Sequence, residues 1–86
     1  MSKRVGVIVC IIEEPEQHSD LFNAALHGFT HLIRGRMGCP FHEHGIGVVS
    51  LTVVATVDEI NELTGRLGNV PGVQAKTAIS RREIDD

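Results

Sequence analysis

Residues 46–80, "IGVVSLTVVATVDEINELTGRLGNVPGVQAKTAIS", decide the fold of this 86-residue chain. They begin with the apolar, β-branched run Ile46 to Ala55, which is typical of a buried strand. Thr56 and Glu59 then have the spacing of a capping box, in which both residues satisfy backbone N–H groups at a helix start. Apolar residues follow at helical spacing at Ile60, Leu63 and Leu67. A strand followed by a packed helix is therefore predicted.

The end of that helix is marked as well as its start. Gly68 and Asn69 favour the left-handed cap that closes many helices. Val70-Pro71-Gly72 favours a turn, and the chain then returns as a strand from Val73 to Ser80. Residues 46–80 thus form one strand–helix–strand unit.

The first half of the chain has the same order. Arg4 to Ile12 is almost continuously apolar and β-branched, which predicts another central strand, the first in chain order. Pro15, within the acidic segment Glu13 to Glu16, suits the first turn of a helix. Helical spacing of apolar residues follows at Leu21, Phe22, Ala25, Leu26 and Phe29.

A further strand is predicted from His31 to Cys39, with Pro40 to Gly45 connecting it to the next strand. The complete order, β-α-β-β-α-β, predicts an α+β, ferredoxin-like fold with a four-stranded antiparallel sheet and two helices on one face. We expect a single domain over residues 1–86, with an ordered core at about 4–80 and a solvated, charged tail at 81–86.

Helices on one face leave the other face of the sheet uncovered. The first strand is apolar on both sides, because its residues alternate between Val5, Val7, Val9 and Ile11 on one face and Ile8, Cys10 and Ile12 on the other. An uncovered apolar face is an association surface. We therefore expect a homo-oligomer, either a dimer or a tetramer, formed through the open sheet face. A monomer that tolerates a partly apolar face is the alternative.

The composition narrows the classes of partner. Eight basic residues against eleven acidic ones give a net charge of −3, without the basic patch of a nucleic-acid-binding protein, so direct DNA binding is not expected. The chain has two cysteines, too few for a disulfide scaffold, and Cys10 inside an apolar run indicates a reducing compartment. The N-terminal apolar run is too short to cross a membrane. We expect a cytoplasmic protein with no membrane partner.

Two motifs carry a resemblance to a known family. They are R-M-G-x-P-aromatic at residues 36–41 and "LTGRLGNVPGV" at residues 63–73. Over essentially its whole length the chain resembles the iron-only hydrogenase system regulators, which are small stand-alone ACT-like domains. The resemblance implies a non-enzymatic, ligand-sensing regulatory module, similar in fold to the ligand-sensing domain of the nickel-responsive repressor. It implies a regulatory or hydrogenase-maturation protein as partner. The sequence leaves the cofactor unknown, and this function requires none.

A possible metal site lies in "GRMGCPFHEHG", residues 35–45. Cys39, His42 and His44 are side chains that transition metals accept, and they depart from the family pattern. A structural zinc site needs four ligands, whereas this loop supplies at most three. A plain hairpin loop is one interpretation, and a metal sensor or carrier is the alternative function.

Two arginines suggest a site for an anion. Arg34 and Arg36 alternate along the predicted second strand, so both side chains are expected on one face, opposite Ile33 and Met37. Lys76 on the last strand can share that face. Arginine binds carboxylate or phosphate groups through two parallel hydrogen bonds. Solvated charges, or ion pairs between subunits, are the other interpretation.

Small residues in two loops complete the candidate ligand site. Gly38 and Pro40 shape the connection after the second strand. Gly68, Asn69 and Gly72 form a loop of the kind that contacts effectors in ACT-like domains, although their ordinary role is to cap a helix and turn the chain. No catalytic residues are predicted, because no nucleophile has both a base and a third orienting group nearby.

Overall fold

The computed structural model describes residues 2–85 and has the predicted β-α-β-β-α-β order. Its strands and helices are β1 (Arg4–Glu13), α1 (Pro15–Ala25), β2 (Ile33–Phe41), β3 (Ile46–Ala55), α2 (Val57–Gly68) and β4 (Val73–Ile79). Short 3₁₀ turns at Thr30–Leu32 and His42–His44 flank β2. Met1 and Asp86, the two ends of the predicted domain, lie outside the described residues.

The four strands form one antiparallel sheet in the order β2-β3-β1-β4. The central strands β1 and β3 pair over ten residues, from Arg4 opposite Ala55 to Glu13 opposite Ile46. These are the two most apolar segments of the sequence, and they lie where a strand has neighbours on both edges. The predicted ferredoxin-like sheet is confirmed.

The core lies between the two helices and one face of the sheet. It is formed by alternate residues of the central strands and by the inner faces of the helices: Ile8, Cys10, Ile12, Val49, Leu51, Val53, Phe22, Leu26, Ile60, Leu63 and Leu67. Burial raises the pKa of the Cys10 thiol to about 11, against 9.0 for a free thiol. Apart from Phe22 and Cys10, these core side chains are aliphatic, as expected for a chain without Trp or Tyr.

The predicted capping box at the start of α2 is confirmed. The Thr56 hydroxyl oxygen accepts the Glu59 backbone N–H at 3.2 Å, while the Glu59 carboxylate accepts the Thr56 N–H at 3.0 Å. The hydrogen bond from the Thr56 backbone lowers the pKa of the Glu59 carboxyl. The end of α2 differs from the prediction, because Asn69 caps it in a right-handed conformation and the left-handed residue is Gly72 in the following turn.

Helix α1 begins at Pro15 as predicted, after Glu14 in the left-handed conformation with φ 47°. Phe22 and Leu26 are buried, but Leu21 is 53% exposed although its spacing predicted a buried position. Neighbouring residues on a helix are about 100° apart, so turning Phe22 into the core carries Leu21 past the edge of the contact. The buried stripe of α1 is therefore narrower than the sequence pattern indicates.

The described part of the tail folds back onto the start of β1. The backbones of Lys3 and Ile84 pair in antiparallel fashion, and Arg4 forms an ion pair with Glu83 at 3.7 Å. Within residues 2–85, no helix is long and apolar enough to span a membrane.

Candidate functional site

One face of the sheet has no helix on it, and we call it the open face. It consists of outward residues from the four strands: Val5, Val7, Val9 and Ile11 of β1, Val48, Ser50, Thr52 and Val54 of β3, Met37 and Cys39 of β2, and Lys76 of β4. The three valines of β1 are 37–41% exposed, and Met37 is 70% exposed. The predicted alternation of β1 is confirmed, with an apolar row along the middle of this surface.

A groove of about 800 Å³ lies on the helix side of the sheet, between the start of α1 and the end of β2. The strand that borders it, β2, is an edge strand whose residues are mostly exposed. Ile12 and Val49 of the central strands form its apolar floor. Glu14, Pro15, Glu16, Ser19 and Asp20 line the helix side, and Gly38, Cys39, Pro40 and His42 line the strand side.

Glycines set the shape of this groove. Gly45 has φ +64° and accepts a hydrogen bond from the Glu14 N–H at 2.9 Å, which ties the end of the loop to the start of α1. A Cβ atom on Gly47 would lie 3.6 Å from the Pro15 ring, so this position packs closely under the helix. A Cβ atom on Gly38 would meet no atom within 4 Å. Gly38 therefore leaves open space along the strand side of the groove.

The groove is acidic. Glu14, Glu16 and Asp20 line it, whereas no Lys or Arg does so among the described residues. None of the three carboxylates forms an ion pair within residues 2–85. The sequence pattern assigned Glu14 and Glu16 to the acidic start of a helix, gave no role to Asp20, and did not predict the groove. The available signal was the one-turn spacing of Glu16 and Asp20, which places both on one side of the helix.

The predicted common face of the basic residues is not formed. A β-bulge between Ile33 and Gly35 contains Arg34 and breaks the strict alternation of β2. Arg36 is consequently paired with Leu51 on the helix side, where its guanidinium donates to the Asn23 side chain at 3.0 Å. It also lies 6.0 Å from the ring centroid of Phe22.

Lys76 lies on the open face of β4, at the opposite edge of the sheet from β2. Three strand spacings, about 14 Å, separate the two edge strands. Arg36 and Lys76 therefore occupy opposite faces as well as opposite edges, and no single ligand of small size reaches both.

The three candidate metal ligands lie at the end of β2 and in the turn that follows. Cys39 pairs with Val48 on the open face and is exposed, whereas His42 and His44 belong to the 3₁₀ turn. Within residues 2–85 no group of three or more His, Cys, Asp and Glu side chains is arranged to hold a metal ion. Cys39 and His42 both line the groove, whereas His44 does not.

The loop after α2 is separate from the groove. Gly72 has φ +78°, and its carbonyl accepts the Glu13 N–H at 2.7 Å. A Cβ atom on Gly72 would lie 2.5 Å from Nδ1 of His18, so glycine is needed for packing against α1. Gly68 and Asn69 end α2. Of the glycines, arginines, proline and asparagine predicted to bind a ligand, only Gly38 and Pro40 line the groove.

Comparisons with known proteins agree with this architecture. TM1266 from Thermotoga maritima, described as uncharacterized, has a solved structure that is 31% identical and superposes with a TM-score of 0.84, covering 90% of this chain and 96% of that one. The ACT domain of GTP pyrophosphokinase from Chlorobium tepidum is 17% identical, with a TM-score of 0.69 over 93% of this chain and 89% of that domain. At 17% identity, the second comparison shows only that the two proteins share a fold.

No curated protein sequence matches the chain significantly. Residues 4–77 match the family profile described as "TM1266-like: Iron-only hydrogenase system regulator, putative". The match spans both sequence motifs and all the strands and helices except the end of β4. With its ACT-like fold, the chain therefore belongs to the TM1266-like family of iron-only hydrogenase system regulators.

Proposed function

We propose that this chain is a non-enzymatic regulatory module of an iron-only hydrogenase system that senses a small ligand and acts as a homo-oligomer. The observation that carries the proposal is the groove between α1 and β2. It is concave, has an apolar floor and a few polar side chains, and falls within the volume range of about 300–1,000 Å³ that is usual for ligand sites. Within residues 2–85 no group of three or more His, Cys, Asp and Glu side chains is arranged to hold a metal ion.

The open face supports assembly into a dimer or tetramer. Strands of about ten residues rise about 33 Å, and four strands span about 19 Å, so the face covers roughly 600 Å² before side-chain relief is counted. Stable interfaces bury about 600–1,000 Å² on each partner. The open face therefore reaches the lower end of this range, and its centre is the apolar row of Val5, Val7 and Val9.

Signal transfer in this proposal runs through a partner protein of the hydrogenase system, either a regulator or a maturation protein. The groove and the open face are built on the same two central strands, since Ile12 and Val49 form the floor of the groove while Ile11 lies on the open face. A ligand that moves α1 relative to β2 would therefore act on the sheet that forms the oligomer. Direct DNA binding is not part of the proposal, because the net charge is −3.

The test is to fill the groove in a host that carries this gene and an iron-only hydrogenase. Gly38→Leu adds a side chain on the strand side of the groove without meeting an atom within 4 Å of its Cβ. Gly65→Leu on the exposed side of α2 is the matched control, since its Cβ is equally unobstructed. We expect Gly38→Leu to change hydrogenase transcript or activity as deletion of the gene does, and Gly65→Leu to behave as wild type. Unchanged hydrogenase in both Gly38→Leu and the deletion strain would refute the regulatory role.

A further inference from the structure

We propose that the groove binds a small organic cation with an apolar body, such as a primary amine, an amidine or a guanidine. This inference rests on the proposed function, because it names the class of ligand that the regulatory module senses. It differs from the sequence-based expectation of a carboxylate or phosphate ligand held by arginines. The reasons are the charge of the groove walls, the apolar floor, and the position of the nearest arginine.

The floor and two prolines favour an apolar body. Ile12 and Val49 are almost fully buried in the protomer, so only a small part of each side chain faces the groove. Pro15 lines the helix side and Pro40 the strand side, and both add rigid apolar surface. A flat aromatic or short aliphatic group would replace water against these four residues, and burial of apolar area drives such contacts.

The walls favour a cation. Glu14, Glu16 and Asp20 bring three negative charges to one side, and Lys and Arg are absent among the described lining residues. The start of α1 adds a partial positive charge of about one half, which offsets only a small part of the three carboxylates. A cationic head group between the walls gains attraction from each carboxylate, whereas an anion would be repelled.

The nearest arginine does not reverse this balance. Arg36 lines a separate hollow further along α1, with Asn23 and Leu26. Its guanidinium donates to the Asn23 side chain and lies over the Phe22 ring, so it is directed toward the helix. An anionic ligand in the groove would therefore face carboxylates without an arginine fork to hold it.

Three isosteric probes separate charge from shape: benzamidine is cationic, benzamide neutral and benzoate anionic. Each is titrated into the ¹⁵N-labelled protein at low ionic strength, and backbone amide shifts report both the affinity and the location. We expect benzamidine to shift Gly38, Gly45 and Gly47 and to bind more tightly than benzamide, with benzoate weakest. Added salt should weaken benzamidine binding and leave benzamide binding nearly unchanged.

Charge-removing variants identify the carboxylates that act. Glu16→Gln and Asp20→Asn are each expected to weaken benzamidine binding by about two- to fivefold, the usual effect of one partly solvated charge. Glu62→Gln on the exposed side of α2 removes the same charge outside the groove and should leave the affinity unchanged. Gly38→Leu should weaken all three probes.

The outcomes separate this inference from the proposed function. Binding of benzoate at the groove as tight as that of benzamidine, or equal affinity in Glu16→Gln, Asp20→Asn and wild type, would overturn the cationic ligand and leave the groove as the site. If none of the probes shifts groove amides while Gly38→Leu still alters hydrogenase in the host, the ligand class is wrong and the regulatory role stands. If Gly38→Leu is also silent in the host, both fail.

Discussion

Replacing Val7 with Glu is expected to dissociate the proposed homo-oligomer while leaving the protomer folded. Val7 lies in the middle of the open face, where its neighbours across β3 and β4 are Thr52 and Ala78. It is 38% exposed in the single chain, so a carboxylate there can reach water as long as no partner covers it. In an oligomer formed through this face the same carboxylate would be buried.

The size of the effect follows from the exposed valines. Complete burial of a valine side chain contributes about 1.5–3 kcal/mol, and Val5, Val7 and Val9 retain roughly two fifths of their exposure. Six such side chains in a two-fold interface thus contribute about 4–7 kcal/mol on association. In Val7→Glu the two Val7 side chains of the interface become two unpaired, buried carboxylates, whose desolvation costs several kcal/mol more. We therefore expect Kd to rise at least about a thousandfold, which corresponds to about 4 kcal/mol.

Wild type, Val7→Glu and a matched control are compared by sedimentation velocity at protein concentrations from about 1 to about 100 μM. This range distinguishes an assembly with a Kd below it from one that has dissociated. Leu21→Glu is the control, because Leu21 is an exposed apolar residue on α1 and receives the same charge away from the open face. Wild type and Leu21→Glu should sediment as oligomers and Val7→Glu as a folded monomer. A monomeric wild type at the highest concentration, or a Val7→Glu protein that sediments like wild type, would refute the reasoning.

Three further predictions concern stability. Thr56→Ala removes the capping box and should lower the free energy of unfolding by about 0.5–2 kcal/mol, seen as a decrease in Tm of roughly 3–11 °C; an unchanged Tm would contradict it. Gly72→Ala should lower the free energy of unfolding, measured in urea, by more than about 1 kcal/mol, because Gly72 has φ +78° and a Cβ atom there would meet His18. Gly65→Ala should instead raise the free energy of unfolding by about 0.5–1 kcal/mol, because alanine favours the helix. Equal effects of the two variants would refute this contrast. Because burial raises the pKa of Cys10 above its unfolded value, folding favours the protonated thiol, so the free energy of unfolding should fall as pH rises from 9.0 to about 11. Urea titrations should show this slope in wild type and a smaller one in Cys10→Ala, and equal slopes would argue against it.

Part of the candidate site was predictable and part was not. Gly38 and Pro40 were expected near a ligand, and both line the groove. The carboxylates opposite them were missed, because their sequence pattern also describes an ordinary solvated helix start. Whether Glu16 faces water or a groove depends on how far α1 lies from β2, and nothing local in the sequence specifies that distance.

The sequence by itself determined the order of the strands and helices, the capping box of Thr56 and Glu59, and the two faces of β1. These features depend on local hydrogen bonds and on the period of apolar residues, which are written in consecutive positions. The tertiary structure alone decided the bulge at Arg34 and the opening beside β2. A bulge is set by how β2 pairs with β3, and a groove is set by the packing of a helix on the sheet. Both arise from contacts between segments distant in sequence, which is why the arginines were predicted on a shared face and the acidic groove was not predicted.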